Sequence, residues 1–384
     1  MNGAGHGAGQ RGGVAMRLRG LLRKESLQIL RDPSSIAIAF VMPVVLLLLF
    51  GYGVSLDAKN VPLAVIVEQP SADTASLEAG FAYSRYFRPR RFASIQEAQG
   101  ALERHEVDGI VWLRADFARR LENTGDAPIG VIVNGVNANQ ARLVQGYVQG
   151  VWIGWLEQRA RQRGEELRLP VRLEQRIWFN PEVRSTNYLV PGLIAVIMTL
   201  IGALLTALVV AREWERGTME ALMATPVRMR ELLTGKLVPY FILGMGGMLL
   251  SVAMGVWLFR VPMVGSFWVM VLASALFMLA TLAMGLLISV VAKNQFVAGQ
   301  VAIIVTFLPA FILSGFIFEI GSMPWPIQWI THLVPARYFV AILQSLFLAG
   351  DVWPVVLANA AVLALFAVVL FALVRRRTAA KNLE

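Results

Sequence analysis

The chain has 384 residues, of which 57% are apolar and 16% are charged, and its net charge is +10. Soluble globular chains are about 45–50% apolar and about 25% charged, so this composition excludes a single soluble enzyme domain. The absence of cysteine excludes disulfide scaffolds, cysteine-ligated zinc and thiol catalysis. The three histidines, His6, His105 and His332, are too scattered for a histidine-rich metal site.

The first 33 residues contain two predicted elements. The glycine-rich stretch 1–13 is predicted to be a disordered tail, and residues 14–33 are predicted to form a cytoplasmic interfacial helix that stops at Asp32-Pro33. The helix has an apolar arc and an opposite polar arc, formed respectively by Val14, Leu18, Leu21, Leu22 and Ile29, and by Arg17, Lys24, Gln28 and Arg31. Glu25, Leu27 and Leu30 break this pattern. Two roles therefore stay open: an anchor on the membrane surface, or a docking helix for a soluble partner.

Six long segments contain no Asp, Glu, Lys or Arg. They are residues 34–55, 188–211, 237–259, 261–292, 294–318 and 352–374. A bilayer core about 30 Å thick requires about 20 helical residues, so the sequence predicts six membrane-spanning helices. Ion-coupled carriers keep ionisable groups at membrane depth, and their absence here counts against a proton-driven antiporter.

Basic residues are distributed unevenly among the connecting stretches. Residues 1–33, the connection 212–236, Lys293 and the tail 375–384 carry most of them, whereas the short connections on the other side carry Arg260 and Arg337. This asymmetry predicts that both termini and the tail 375–384 are cytoplasmic. The long connection 56–187 then lies outside the cytoplasm. The positive charge marks membrane orientation and indicates no nucleic-acid partner.

Residues 56–187 are predicted to form a small extracytoplasmic α/β domain, because strand and helix patterns alternate along them. The predicted strands are Val61–Val67, Asp108–Leu113, Pro128–Val133 and Val171–Phe179. The predicted helices are Ser71–Phe81, Ser94–Arg104, Ala115–Leu121 and Asn137–Arg163. In the second of these, Ser94 and Glu97 have the spacing of a capping box. The fold class predicted for the whole chain is therefore a six-helix, all-α membrane protein with an α/β domain inserted between its first and second spans.

The long helix of this domain carries glycines at every fourth position, Gly146, Gly150 and Gly154. Each helical glycine costs about 1 kcal/mol relative to alanine, so three on one face indicate a site of close packing. Two interpretations are open: the glycines pack on the domain's own sheet, or they receive a helix of a second subunit.

The cytoplasmic connection 212–236 combines charged residues with signals for a turn. Gly217 permits a sharp turn, and Thr218 can cap a short helix, Met219–Ala224, that Pro226 stops. A solvated loop of mixed charge is the alternative. The segment contains Gly235-Lys236 but not the upstream glycine or the following Ser or Thr of a P-loop, so this chain is predicted not to be an ATPase or any other enzyme.

Residues Arg212–Pro226 read Arg-Glu-x-Glu-x-Gly-Thr-x-Glu-x-Leu-x-x-Thr-Pro, which resembles the signature of ABC-2 type permeases, the membrane subunits of bacterial ABC exporters. Five further places are similar to that family: Arg23-Lys24-Glu25, Arg31-Asp32-Pro33, Asn180-Pro181, Ser314-Gly315-Phe316 and Pro335-Ala336-Arg337-Tyr338-Phe339. The large outer domain resembles the six-span branch assigned to efflux of drugs or other small molecules. Residues 319–351 resemble the short re-entrant helices near the outer face.

The resemblance implies a set of partners and contact residues. A separate cytoplasmic ATPase binds ATP and Mg, a second permease chain, identical or paralogous, completes the pathway, and a periplasmic adaptor protein is a further partner that the resemblance allows. No cofactor or metal is expected in this chain. The residues implied to contact the ATPase are Arg212, Glu213, Glu215, Gly217, Thr218, Glu220, Leu222, Thr225 and Pro226, with Leu18, Leu22, Arg23, Lys24, Glu25, Arg31 and Asp32 of the interfacial helix.

Two other functions are consistent with a multi-pass protein of the bacterial inner membrane. A receptor or scaffold that displays the outer domain would not need the motif at Arg212–Pro226, and a secondary carrier would depend on the proton gradient. Lipids, drugs, ions and polyketides all stay open as substrates. If the chain is a permease, Glu213→Ala and Glu220→Ala are expected to weaken ATPase docking without affecting insertion or abundance.

Overall fold

The computed structural model describes residues 6–53, 60–123, 127–135, 138–164, 179–180, 184–218, 229–292 and 294–380. The chain divides into two compact units, one made of Met1–Ser55 with Ile177–Glu384 and the other of Leu56–Arg176. The first is helical and the second contains a four-stranded sheet.

The helices are, in chain order, α1 (His6–Leu30), α2 (Pro33–Gly53), α3 (Ala72–Tyr83), α4 (Ile95–Glu103), α5 (Phe117–Asn123), α6 (Ala138–Arg163), α7 (Ser185–Glu215), α8 (Met229–Ala253), α9 (Phe267–Ala292), α10 (Gln295–Leu313), α11 (Trp325–Thr331), α12 (Pro335–Gln344) and α13 (Trp353–Ala380). The strands are β1 (Val61–Val67), β2 (Phe87–Phe92), β3 (Gly109–Leu113) and β4 (Gly130–Val133). A π-helical turn extends α8 to Leu258, and another follows α12 over Ser345–Ala349.

Within the described residues, six helices are long and apolar enough to cross a membrane. They are α2, α7, α8 with its π-helical extension, α9, α10 and α13, and the ends of the apolar spans within them lie within six residues of the predicted segments. The predicted outer segment contains α11 and α12, which are bent by 84° relative to each other. Residues 6–13 belong to α1, so the prediction of a disordered tail there was wrong. Extending an existing helix costs less than nucleating one, which favours this continuation.

Helix α7 lies at the centre of the helical unit, and 94% of its most apolar window is buried. It packs closely on α9, because a Cβ at Gly285 would overlap the Ala203 carbonyl and the Thr206 side chain. Two hydrogen bonds cross the same contact, from the Thr206 hydroxyl to the Leu282 carbonyl (2.8 Å) and from the Ser289 hydroxyl to the Ala207 carbonyl (2.6 Å). Small residues and interhelical hydrogen bonds thus join α7 to α9, as is typical of membrane helices.

The second unit is a mixed sheet in the order β2-β1-β3-β4, with β1 parallel to β2 and β3, and β3 antiparallel to β4. Side chains of β1 and β3 alternate between its two faces. One face packs on α3, α5 and α6, and the other on α4. Strand β2 was absent from the sequence-based prediction, and the predicted strand Val171–Phe179 lies almost wholly outside the described residues.

Helix caps explain where α3 and α4 begin. The Ser71 hydroxyl accepts the Thr74 backbone N–H (3.2 Å) and the Thr74 hydroxyl accepts that of Ser71 (2.8 Å), which makes a reciprocal capping box. At α4, Ser94 accepts the Glu97 N–H as predicted, but the Glu97 carboxylate accepts the backbone N–H of Ala93 instead of that of Ser94. The predicted cap is therefore half of a capping box.

Candidate functional site

One end of the helical unit holds a buried network of charges that joins three helices. Lys236 of α8 donates to Glu213 of α7 (2.5 Å) and to Glu25 of α1 (3.1 Å). Their relative exposures are 4% for Lys236, 5% for Glu213 and 1% for Glu25. The half-exposed Lys24 lies 3.3 Å from Glu25 and 3.6 Å from Glu213, at the edge of the network. Lys236 is thus the only fully buried cation of the network within the described side chains.

These buried charges depend on one another. A buried ion pair gives little net stability compared with apolar residues, but removing one partner leaves an uncompensated charge and costs about 3–5 kcal/mol. One oxygen of each carboxylate, Oε2 of Glu25 and of Glu213, is buried without a hydrogen-bond partner among the described groups. Both carboxylates therefore rely on Lys236, which holds α1 against α7 and α8.

Two further ion pairs flank the network and join the same helices. Arg17 of α1 donates to Glu231 of α8 (3.0 Å), and Arg212 of α7 donates to Asp32 (2.8 Å), just before α2. Asp32 also caps α2 by accepting the Ser34 backbone N–H (3.1 Å). Partial burial alone would raise the pKa of Asp32, but hydrogen bonds from Ser34, Arg212 and Ser35 lower that pKa well below its usual range. The Asp32–Arg212 pair therefore stays ionised at neutral pH.

Helix α7 ends in the turn that the sequence predicted. Gly217 has a φ of +69°, which a residue with a Cβ adopts only with strain, and its N–H bonds the Trp214 carbonyl (3.2 Å). The Thr218 hydroxyl donates to the Glu213 carbonyl (3.2 Å), at the end of α7. Glu215 accepts the backbone N–H of Gln295 (3.2 Å) at the start of α10. Four predicted site residues, Glu220, Leu222, Thr225 and Pro226, lie outside the described residues, as does the predicted helix Met219–Ala224.

An open cleft of about 650 Å³ lies beside this turn, between α1 and the end of α7. Its lining comprises Lys24, Leu27, Gln28, Arg31 and Asp32 on one side and Arg212, Glu213, Arg216 and Thr218 on the other. Both acidic residues in the cleft are already engaged by Arg212 and Lys236. The cleft is therefore polar and carries excess positive charge. Across the described part of the chain, no cluster of three or more His, Asp or Glu side chains could hold a metal ion.

Residues 33–376 match the model of the ABC-2 family transporter proteins. The chain belongs to this family. An Escherichia coli K12 protein described as a probable multidrug ABC transporter permease, YbhS, is 46% identical over 342 residues, which cover 89% of this chain and 90% of that protein. A second permease with the same description, YbhR, is 29% identical over 90% of this chain and 95% of its own length. The inner membrane transport permease YhhJ is 28% identical over 71% of this chain and 74% of its own length.

As an ABC-2 family member with permease relatives, this chain is a permease subunit of an ABC exporter, in agreement with the resemblance seen in the sequence. It is a multi-pass membrane protein and a transport subunit instead of an enzyme. No observation favours a receptor or a secondary carrier.

The implied coupling residues of this permease separate into buried and exposed groups. Glu213 and Glu25 are buried in the chain's own network, so neither carboxylate is available to a partner in this structure. Arg23, Lys24, Arg31 and Glu215 are exposed, as is the neighbouring Arg216, which the sequence did not single out. Leu18 and Leu22 are half-buried on α1, where the neighbouring Leu21 packs against Gly235. The inner side of α1 thus contacts α8, which a simple membrane-surface anchor would not do.

Sequence reasoning missed Lys236, Arg17 and Glu231 as the ionic partners of these residues. The available signals were Glu25, an acidic residue that interrupts the apolar side of α1, and Lys236, a lysine immediately before the third apolar segment. The structure also corrects the expectation for Glu213→Ala. That change would leave Lys236 with less compensation inside the protein, so stability should fall.

The glycine face of α6 lies in the other unit and is open. No atom of the described chain lies within 4 Å of a Cβ placed at Gly146, Gly150 or Gly154. The opposite side of α6 supplies Val144, Val148 and Trp155 to the core under the sheet. A groove of about 680 Å³ runs along the glycines, beside the highly exposed Tyr83. The domain's own sheet therefore does not fill this face.

Proposed function

We propose that this chain works as part of an ATP-driven exporter in which two permease chains form the pathway and separate cytoplasmic ATPase chains supply the energy. The observation that carries the proposal is the buried Lys236–Glu213–Glu25 network, which joins α1, α7 and α8. The network lies at the end of α7 where the connection 212–236 begins. ATP and Mg would bind the partner ATPase.

The network provides a physical route from an ATPase to the membrane helices. Moving α1 away from α7 would separate buried charges that rely on Lys236, at a cost of several kcal/mol, about 3–5. A displacement applied to α1 or to the turn at Gly217 therefore moves α7 along with it. Because α7 is the most enclosed helix of the unit and packs on α9, its displacement would change the shape of the helical unit.

The uneven distribution of basic residues supports an inner-membrane orientation with both termini and the network on the cytoplasmic side. The domain formed by residues 56–176 would then lie outside the cytoplasm, where a periplasmic adaptor protein could meet it. A reporter fused at Gly125 should be active only outside the cytoplasm, and one fused after Arg377 only inside. A cytoplasmic Gly125 would contradict this orientation.

The second permease chain has a surface available on α6. Its exposed face bears no charge between Arg142 and Glu157, over about four helical turns. An antiparallel pair of α6 helices, centred between Gln149 and Gly150, would set Arg142 against Glu157 of the partner subunit and Ile153 against the partner's Gly146. A two-fold contact repeats each such pair, which makes the face self-complementary. A paralogous permease with the same pattern would satisfy the same contact.

Drug-sized apolar molecules are the proposed substrates, because two relatives are described as probable multidrug permeases. The test is substrate-stimulated ATP hydrolysis by the complex in proteoliposomes, together with export of the same compound. We expect export to require ATP and to survive dissipation of the proton gradient. Export that stops with the gradient and continues without ATP would contradict the proposal and indicate a secondary carrier.

A further inference from the structure

The open cleft between α1 and the end of α7 has more positive charge than the described residues of the chain neutralise. One face of α1 and its C-terminal end form a wall of the cleft. The lining residues on this wall recur at helical spacing and are Lys24, Leu27, Gln28 and Arg31. Arg216 and Thr218 stand on the opposite wall.

The acidic residues of the cleft do not compensate Arg31 and Arg216. Asp32 accepts from Arg212 at 2.8 Å, and Glu213 accepts from Lys236 at 2.5 Å. Arg31 and Arg216 are exposed, and neither guanidinium has an acceptor among the described side chains. Within the described part of the chain, the guanidinium groups of Arg31 and Arg216 therefore remain at the cleft without a side-chain acceptor. Guanidinium groups bind carboxylates and phosphates in a planar, two-point geometry.

We propose that this cleft receives an acidic side chain of the ATPase, which Arg31 and Arg216 bind as a charge-assisted pair. This inference rests on the proposed ATPase partnership and specifies the chemistry of the partner's surface. Charge complementarity favours an acidic group. Gln28 and Thr218 add hydrogen-bonding groups to the walls, which suit a polar side chain more than the acyl chains of a lipid.

The position of the cleft favours the ATPase over other anions. Its wall ends at Thr218, where the segment that resembles the ATPase-contacting signature leaves α7. Its lining includes Glu213, which Lys236 connects to α1 and α8. A carboxylate held by Arg31 and Arg216 would therefore bridge α1 and α7 beside the network that joins them. Docking in this cleft would stabilise the same contact between α1 and α7.

The test uses the full-length permease co-purified with its ATPase. Arg31→Glu and Arg216→Glu are compared with Arg19→Glu, a charge reversal at an exposed arginine of α1 that does not line the cleft. We measure ATPase retention on immobilised permease as ionic strength rises. Each cleft reversal should weaken retention by about tenfold or more, and Arg19→Glu by much less. The melting temperature of each variant, measured without the ATPase, should match that of the wild type.

A second measurement locates the acidic partner. Changes of Asp or Glu to Arg in the ATPase that restore retention of the Arg216→Glu permease would support a direct pair. Cleft variants that retain the ATPase as well as Arg19→Glu does would overturn the inference and leave the proposed function intact. A wild-type permease that retains no ATPase would instead refute the proposed function.

Vesicles containing phosphatidylglycerol distinguish an anionic lipid from a protein carboxylate. If the cleft variants lose binding of this lipid and keep the ATPase, the cleft is a lipid headgroup site and the inference is wrong. If lipid binding is unchanged while ATPase retention falls, the acidic side chain of the ATPase is supported.

Discussion

The charged network at the end of α7 and the glycine face of α6 both suggested contacts with other proteins, and they differ in what the chain itself supplies. Glu213 and Glu25 find their partner, Lys236, inside the same chain. Gly146, Gly150 and Gly154 find no neighbour in the described part of it. Residues that suggest a contact with another protein can therefore find their partner within the same chain, or they can remain exposed for a second protein. The two cases respond differently to mutation, in stability for the first and in assembly for the second.

Replacing Lys236, the central lysine of the network, should lower the stability of the permease more than any other substitution considered. In Lys236→Met, two buried carboxylates lose their shared cation, and the permease should lose about 3–5 kcal/mol of stability. Lys24→Met is the matched control, because Lys24 is half-exposed and touches the same carboxylates, and it should cost about 0–1 kcal/mol. Thermal unfolding in detergent and abundance in the membrane measure both. Equal melting temperatures for the two variants would contradict a buried network.

A second substitution should partly rescue this defect if the charges act as a unit. Glu213→Gln removes one of the two uncompensated charges, so Lys236→Met with Glu213→Gln should melt above Lys236→Met alone. The coupling energy for residues in contact in such a network is about 0.5–3 kcal/mol. Additive losses in the double-mutant cycle would mean that Glu213 and Lys236 do not interact.

The open glycine face should respond in assembly and not in the fold of the chain. A Cβ placed at Gly150 has no described atom of its own chain within 4 Å, so Gly150→Leu should not change the melting temperature of the separated permease. If a second α6 fills the groove, overpacking should cost about 1–3 kcal/mol of association. Gly100→Leu is the control, since it lies on α4 of the same domain and only the flexible end of Arg104 approaches it.

Crosslinking yield and mass in detergent measure the population of permease pairs. A wild-type pair population in Gly150→Leu would show that the glycine face is not a contact. A charge exchange adds a test of register, because Arg142→Glu alone should weaken an antiparallel pair and Arg142→Glu with Glu157→Arg should restore it.

The sequence predicted most elements whose stability is local. The six apolar segments follow from hydropathy alone, strand β1 follows from an apolar run rich in Val and Ile, and the start of α4 follows from Ser94. Strand β2 reads Phe-Arg-Pro-Arg-Arg-Phe, and its arginines and Pro89 conceal a strand. Among the described strands it lies at the edge of the sheet, pairs with β1 alone, and can place its charged side chains towards solvent.

The ionic network could not be predicted in the same way. Glu25 and Lys236 are 211 positions apart, and no local pattern indicates which acidic and basic residues meet. Glu25 interrupts the apolar side of α1 in the sequence. The fold tolerates this buried charge because Lys236 from another helix neutralises it. By contrast, Gly217 was predictable, since the αL conformation is a local requirement.

Two substitutions at Asp32 distinguish the contribution of its helix cap from that of its ion pair. Asp32→Ala should lose both the cap of α2 and the pair with Arg212, at a cost of about 0.5–2 kcal/mol for the cap alone. Asp32→Asn keeps an acceptor for the Ser34 N–H and should lose only the pair. Because the pKa of Asp32 is lowered in the folded protein, the pair should contribute fully above the unfolded pKa of about 3.9 and be lost as pH falls through the folded value. Melting temperatures measured from pH 8 to 3 should therefore be higher for the wild type than for either variant, and this difference should begin to shrink only as the pH falls below about 3.9.

Substitution of Glu215 should have the smallest effect on stability. It tests whether this residue acts within the chain, in contact with the ATPase, or in both ways. Its carboxylate accepts the backbone N–H of Gln295 at the start of α10, but it is exposed, and Asn294 already caps that helix by accepting the Val297 N–H (3.1 Å). Glu215→Gln keeps an acceptor and should change stability by no more than about 0.5 kcal/mol.

If Glu215 also contacts the ATPase, Glu215→Gln should lower substrate-stimulated ATP hydrolysis clearly, although it hardly changes stability. Thr218→Val, which removes only the hydroxyl bond to the Glu213 carbonyl, is the control for disturbance of the turn. Unchanged hydrolysis in Glu215→Gln with an unchanged melting temperature would assign Glu215 to the start of α10 alone, and the exposed contacts with the ATPase would have to come from the arginines of the cleft and from residues beyond Thr218.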